Sequence, residues 1–263
     1  MKRLVVKIGG HALDSLGPDS VLLSDLAMDI VQLSNAGTKV ALVHGGGPQI
    51  ADLLKTVGVE SRFHEGLRIT DHVTMGYVAM ALGHVNLLIT AALNRSGLAS
   101  VGLSGADGSL FCSTSLGEPW LRAGATPSVR TEVVTTLWAS GFSPVISSIA
   151  VDASGELVNC NADTAAGALA GALGADALVL LSDVDQLRAD ADDPASALER
   201  VTADEVRQLI ASGAARDGMR PKMIAALDAL SAGASRIIMA NGTRRHSLRD
   251  ALSSSVATTE VLV

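Results

Sequence analysis

The chain has 263 residues and a mass of 26.8 kDa, enough for one large or two small domains with a sizeable core. Hydrophobic residues make up 48% and aromatics 2%, so the core is built from Ala, Val, Leu and Ile, which suits helices on a buried parallel sheet and argues against an aromatic-rich sandwich. A net charge of −7 argues against a broad nucleic-acid surface while leaving room for a local phosphate site, and the two cysteines, Cys112 and Cys160, are too few for a disulfide framework. A reducing, cytoplasmic setting is the expectation, because the start Met1-Lys2-Arg3 carries no apolar run long enough for a signal or a membrane span.

Leu4-Val5-Val6-Lys7-Ile8 predicts a buried parallel strand that breaks at Gly9-Gly10. Open α/β sheets hold ligands beyond the carboxyl ends of their strands, where Lys7 falls, and glycines let backbone N–H groups approach an anion closely. The same residues also fit a lysine whose stem lies along apolar surface before an ordinary turn. Ser20 then caps a helix over 21–36, on which Leu22, Leu23, Leu26, Ile30 and Leu33 recur at helical spacing. Lys39–Val43 reads as a second short strand, ending in His44-Gly45-Gly46-Gly47-Pro48, and a helix follows over Gln49–Val57. Strand, glycine break and helix thus occur twice before residue 58, the βαβ grammar of a parallel sheet. Neither loop has Walker or dinucleotide-fold glycine spacing.

The pair Lys7-Ile8-Gly9-Gly10 and His44-Gly45-Gly46-Gly47 resembles the amino-acid kinase family. The resemblance implies an α/β fold, a three-layer α/β/α sandwich around a mainly parallel open sheet of the carbamate kinase-like kind. It implies a single domain over 1–263, with an acceptor-binding lobe over about 1–174 and a nucleotide-binding lobe over about 175–263. The next segment, Glu65-Gly66-Leu67-Arg68-Ile69-Thr70-Asp71, resembles one that grips the acceptor, with Arg68 clasping a carboxylate bidentately; on its residues alone Arg68 also fits a surface hairpin.

A long apolar helix is predicted over Thr74–Arg95, and Leu82-Gly83-His84-Val85-Asn86 on it resembles the helix through which the family dimerises. His84 alone reads as a core or interface histidine. Ala99–Gly108 predicts a strand closing in a polar turn, with Asp107 as a turn residue. Residues 109–128, with Gly117, Pro119, Gly124 and Pro127, predict a hairpin excursion over the acceptor site, with Trp120 packed beneath it. A helix over Thr131–Ser140 and a strand over Phe142–Ile149 follow.

Asn159-Cys160-Asn161-Ala162-Asp163 leads into an alanine-rich helix over Thr164–Leu173. Asp163 is placed to cap it, which leaves Asn159 unexplained, and Cys160 reads as a small buried hydrophobe rather than a nucleophile. Ala177–Asp185 is a buried strand ending in acids, 189–197 an acidic solvated loop, and Thr202-Ala203-Asp204-Glu205 a capping-box helix start. Asp217-Gly218-Met219-Arg220-Pro221-Lys222-Met223 is a further family match, followed by a helix over Ile224–Ala232 and a strand over Ser235–Ala240. Of five lysines, two, Lys7 and Lys222, fall in these motifs.

The resemblance implies transfer of the γ-phosphoryl of MgATP to a carboxylate, giving an acyl phosphate. Such an acceptor needs no general base because it is ionised at pH 7. By the same resemblance Lys7 and Lys222 stabilise the transition state and Asp163 organises them. Gly45, Gly46, Arg68 and Asn159 hold the acceptor, and Gly9, Gly10, Ser182, Asp183, Gly218 and Met219 hold the nucleotide, which brings its own Mg2+. The implied acceptor is the γ-carboxylate of N-acetyl-L-glutamate, in arginine biosynthesis. An aminoadipate derivative of lysine biosynthesis and a catalytically silent amino-acid sensor are the alternatives. A homodimer is expected, without nucleic-acid or membrane partners and with room for a signalling-protein partner.

Overall fold

The computed structural model describes residues 1–9, 13, 19–190, 193–213, 219–231 and 233–262. Eight strands form the main sheet: β1 (Arg3–Ile8), β2 (Lys39–His44), β3 (Ser100–Ser104), β4 (Ser143–Ser147), β5 (Ala177–Ser182), β6 (Arg200–Thr202), β7 (Ile237–Asn241) and β8 (Thr259–Leu262). Their order is β6-β8-β7-β5-β1-β2-β4-β3, and every pairing is parallel except β7 with β8. The chain builds β2, β3 and β4 on one side of β1, then crosses to place β5 on the other. The crevice beyond the carboxyl ends of β1 and its neighbours is therefore the switch point where open α/β sheets receive ligands.

Side-chain parity along the central strands decides what each face meets. Leu4, Val6 and Ile8 pack with α1 (Val21–Asn35), α3 (His72–Arg95) and α8 (Ser247–Leu252). Val5, with Ala41 and Val43 of β2, packs on the other face with α4 (Glu132–Ala139), α5 (Ala162–Leu173), α6 (Ala203–Ala211) and α7 (Met219–Ser231). The result is the expected three layers. The helix α2 (Gly47–Thr56) packs on α3 through Ile50, Leu54, Met75 and Leu82, as a smaller core of its own. By length and composition α3 could cross a bilayer, but Val85, Ile89 and Leu93 are sealed in the protein core, so it is a core helix.

Local chemistry explains the element ends. Ser20 accepts from Leu23 N at the start of α1, as expected, and Asp71 caps α3, which begins at His72, two residues ahead of its predicted start. The predicted capping box at Thr202 and Glu205 is present on α6. Both α2 and α7 start earlier than predicted, at Gly47 and Met219, because a proline in the first helical turn forfeits no intrahelical bond. The strand expected over Phe142–Ile149 ends at Ser147. After Ser148, Ile149–Val151 joins a second, six-stranded sheet with Leu157–Asn159 and four short strands between Phe111 and Val129. The excursion over 109–128 is thus the greater part of a sheet rather than one hairpin. The acidic stretch 189–197 is bracketed by an antiparallel pair, Leu187–Arg188 with Ala197–Leu198.

Candidate active site

A cavity of about 280 Å³ opens at the carboxyl ends of β1 and β2. One wall is β1 itself. Lys7 shares the parity of Val5, so it faces α5, where its Nζ lies 2.7 Å from Asp163 Oδ1. Both side chains are buried, and the contact is an ion pair by distance rather than an aligned hydrogen bond, because Asp163 Oδ1 accepts none. A Cβ at residue 9 would collide with Lys7 Nζ and Cε, so Gly9 is what allows the ammonium to fold back over the strand end. Asp163 is not the helix cap that its position suggested. Asn161 caps α5, accepting from Asp163 N and Thr164 N, which leaves the Asp163 carboxylate for Lys7.

The second wall is the glycine loop between β2 and α2. Among the described residues no side chain caps α2, so its first N–H groups remain available beside Gly45 and Gly46 at the cavity. A side chain at Gly46 would meet Leu82 Cδ2 at 2.8 Å and fill the cradle. This contrasts with α5, whose terminal N–H groups are already satisfied by Asn161.

The third wall is the hairpin Phe63–His64 and Leu67–Arg68. Arg68 is 7% exposed, contrary to the surface alternative. Its Nη2 donates to Gly47 O at 3.1 Å, its Nη1 donates to Ser61 Oγ, and its guanidinium stacks 4.6 Å from the Phe63 ring centroid. Among the described residues no carboxylate pairs with it, and burial pulls its pKa down from the usual guanidinium value. A buried cation lacking a protein anion is a ready seat for a carboxylate ligand. Asn159 also lines the cavity, though its Nδ2 donates to Thr70 Oγ1 at 3.1 Å, so its side-chain oxygen is the part left for a ligand.

Of the expected nucleotide residues, Gly9 lines this cavity, while Ser182, Asp183 and Met219 lie apart from it. Ser182 is buried at the end of β5, Asp183 is exposed just beyond it, and Met219 and Lys222 stand in the first turn of α7, both half-buried. Gly10 and Gly218 lie outside the described residues. Cys160 is 3% exposed and lines the cavity, and burial pushes its thiol up to about 11, in keeping with a packed hydrophobe rather than a nucleophile. Asp107 forms a turn by accepting from Ser104 N. Trp120 packs against the hairpin rather than under the excursion, its Nε1 donating to His64 O at 3.1 Å.

Reading the sequence missed Ser61 and Thr70, which brace Arg68 and Asn159, and it missed His44. His44 has the opposite parity to Val43, points to α3 and is fully buried, and burial pushes its pKa from 6.5 down to about 4. The folded protein therefore refuses a proton that the unfolded chain accepts below pH 6.5. Stability is expected to hold above that pH and to fall by about 3 kcal/mol as pH drops from 6.5 towards 4. Urea titrations at pH 7 and pH 5 should show this loss shrinking in His44→Asn; an equally steep loss in that variant would refute the assignment.

A buried ion pair, a glycine-rich helix start with no side-chain cap and a guanidinium with no carboxylate partner among the described residues surround one small cavity at the carboxyl edge of an open α/β sheet, an arrangement suited to small anions. The chain belongs to the amino acid kinase family, whose model matches residues 2–241. It is 41% identical over 257 residues to an acetylglutamate kinase of Symbiobacterium thermophilum, covering 94% of this chain and 86% of that one. Its fold matches N-acetylglutamate synthase from Neisseria gonorrhoeae, in complex with coenzyme A and N-acetyl-glutamate, at a TM-score of 0.82 and 25% identity, over 100% of this chain and 59% of that one. Carbamate kinase from Giardia lamblia, bound to AMP-PNP, shares the fold at a TM-score of 0.69 and 19% identity, over 99% and 98% of the two chains.

Proposed function

We propose that the protein transfers the γ-phosphoryl of MgATP to the γ-carboxylate of N-acetyl-L-glutamate. The observation that carries this reading is the buried Arg68 guanidinium, without a carboxylate partner among the described residues, in one cavity with the Lys7–Asp163 pair. The volume of about 280 Å³ suits a small dicarboxylate rather than a long tethered chain. The names and identities of the curated relatives favour the same acceptor.

Bound MgATP supplies the phosphoryl group and its leaving group. The α2 start without a side-chain cap and the Gly45–Gly46 cradle fit the anionic groups that meet there, the acceptor carboxylate and the transferred phosphoryl, and in this reading Mg2+ comes with the nucleotide. Arg68 and Asn159 orient the acceptor, whose carboxylate attacks without deprotonation. Lys7, aimed by Asp163, neutralises charge on the moving phosphoryl, while Lys222 on α7 serves the nucleotide side. Ser182, Asp183 and Met219 are assigned to the nucleotide as well.

A hydroxamate assay with MgATP and N-acetylglutamate, glutamate or N-acetyl-aminoadipate, run in parallel, tests the reading. Signal with N-acetylglutamate is expected; preference for the longer acid would move the enzyme to lysine-type metabolism. Silence with all three, in a folded protein that binds ATP, would favour a sensor.

A homodimer through α3 belongs to the same proposal. Val73, Met80 and Leu87 are each more than 60% exposed on one stripe of α3, and Gly76 and Gly83 beside them open onto free space, so a second copy could approach closely. Leu87→Asp is expected to shift the species seen by light scattering from dimer to monomer; an unchanged mass would remove α3 from the interface.

A further inference from the structure

The buried pair His44 and Asn86 has no part in the chemistry above, yet it sits directly behind the glycine loop. His44 Nδ1 lies 2.8 Å from Gly45 O, and its Nε2 lies 2.9 Å from Asn86 Nδ2. A carbonyl can only accept, so Nδ1 carries the proton and Nε2 is the lone pair that receives the Asn86 amide. Asn86 is itself pinned, since its Nδ2 also lies within bonding distance of Val145 O, at 2.9 Å, and Leu103 O, at 3.2 Å. Gly102 makes room for it, for a Cβ there would collide with Asn86 Oδ1. The imidazole is thus held neutral, in one tautomer and one orientation, in agreement with the depressed pKa.

The Gly45–Gly46 peptide is trans, so its C=O and N–H point in opposite directions. With Gly45 O drawn inward to the imidazole, the Gly46 N–H is turned away from the core. Among the described residues no acceptor takes that N–H, and Gly46 lines the cavity. We propose that His44 and Asn86 are positioning residues: Asn86 sets the imidazole, and the imidazole aims the Gly46 N–H at an anionic oxygen of the transferring phosphoryl. The identity of that oxygen rests on the phosphoryl-transfer reading; the aiming of the N–H does not.

The two failures can be told apart by three readouts. Imidazole 15N shifts in the free protein should report a protonated Nδ1 and a bare Nε2. The Gly46 amide resonance should move when Mg·AMP-PNP is added. Asparagine places its amide nitrogen where Nδ1 stands, and glutamine reaches instead to the Nε2 position. His44→Asn should therefore keep the Gly46 response and a kcat within about tenfold of the parent. His44→Gln should lose the response and lower kcat about a hundredfold, with the acceptor KM moving less than about threefold. If His44→Gln does not fold, Asn86→Leu, with the same branching and heavy-atom count but without a donor, should lower kcat in the same way.

A protonated Nε2 in the free protein, or a His44→Gln enzyme with the parent's Gly46 response and kcat, would overturn the proposal. A parent protein whose Gly46 amide responds to Mg·AMP-PNP, but which phosphorylates none of the three acids, would support the positioning role and overturn the assigned reaction.

Discussion

Replacing Lys7 with methionine is expected to lower kcat about a hundred- to a thousandfold, the usual loss when one preorganised charge is removed from a developing transition state. Stability should fall with it. Lys7 and Asp163 are 6% and 7% exposed, and removing one member of a buried pair leaves the other charge stranded, at a cost of about 3–5 kcal/mol. The two effects separate in the double variant Lys7→Met/Asp163→Asn, whose neutral amide no longer needs a counter-ion. Thermal unfolding of the double variant should recover most of the lost stability while turnover stays low. Recovered turnover would assign Lys7 to the fold alone. Gly9→Ala approaches the same point from the backbone, since its Cβ would displace the ammonium without removing it.

Truncating Arg68 to alanine is expected to act on acceptor binding instead. A hydrogen-bonded charge contact contributes about 1.5–3 kcal/mol, so the acceptor KM should rise about ten- to a hundredfold while the KM for ATP changes little. Arg68→Lys is the sharper variant because it keeps the charge. A lysine can replace neither the planar stacking on Phe63 nor the simultaneous contacts to Ser61 and Gly47 O, so most of the loss should persist. Full recovery in the lysine variant would mean that charge by itself binds the acceptor. Initial rates at saturating ATP across a range of N-acetylglutamate concentrations decide between these outcomes.

Much of this was legible in the linear chain. The strand–glycine–helix grammar around Lys7 and His44 named the fold class and two of the three cavity walls, because glycine clusters at strand ends have few other uses. Capping chemistry is equally local, so Ser20 and the Thr202–Glu205 box were found where expected. Proline-containing starts were misplaced on α2 and α7, since a proline reads as a breaker until the first turn is known to hold it. Spacing alone fits Asp163 as a cap, whereas the family resemblance gives it to the lysines; the cap proves to be Asn161, two residues ahead, which serves that purpose equally well in sequence terms.

Period-2 parity is a property of the sequence: Val5 with Lys7 on one face of β1, Leu4 with Val6 and Ile8 on the other, and His44 opposite in facing to Val43. What lies against each face is not. Only the tertiary structure brings α5 against Lys7, and α3 against His44, because a strand's parity says which side a residue points to and nothing about which distant helix covers it. The same holds for Arg68, whose burial depends on Ser61, Phe63 and the glycine loop closing around it. Ion pairs and tautomers are settled by those long-range neighbours, since charge and hydrogen bonding act across space rather than along the chain.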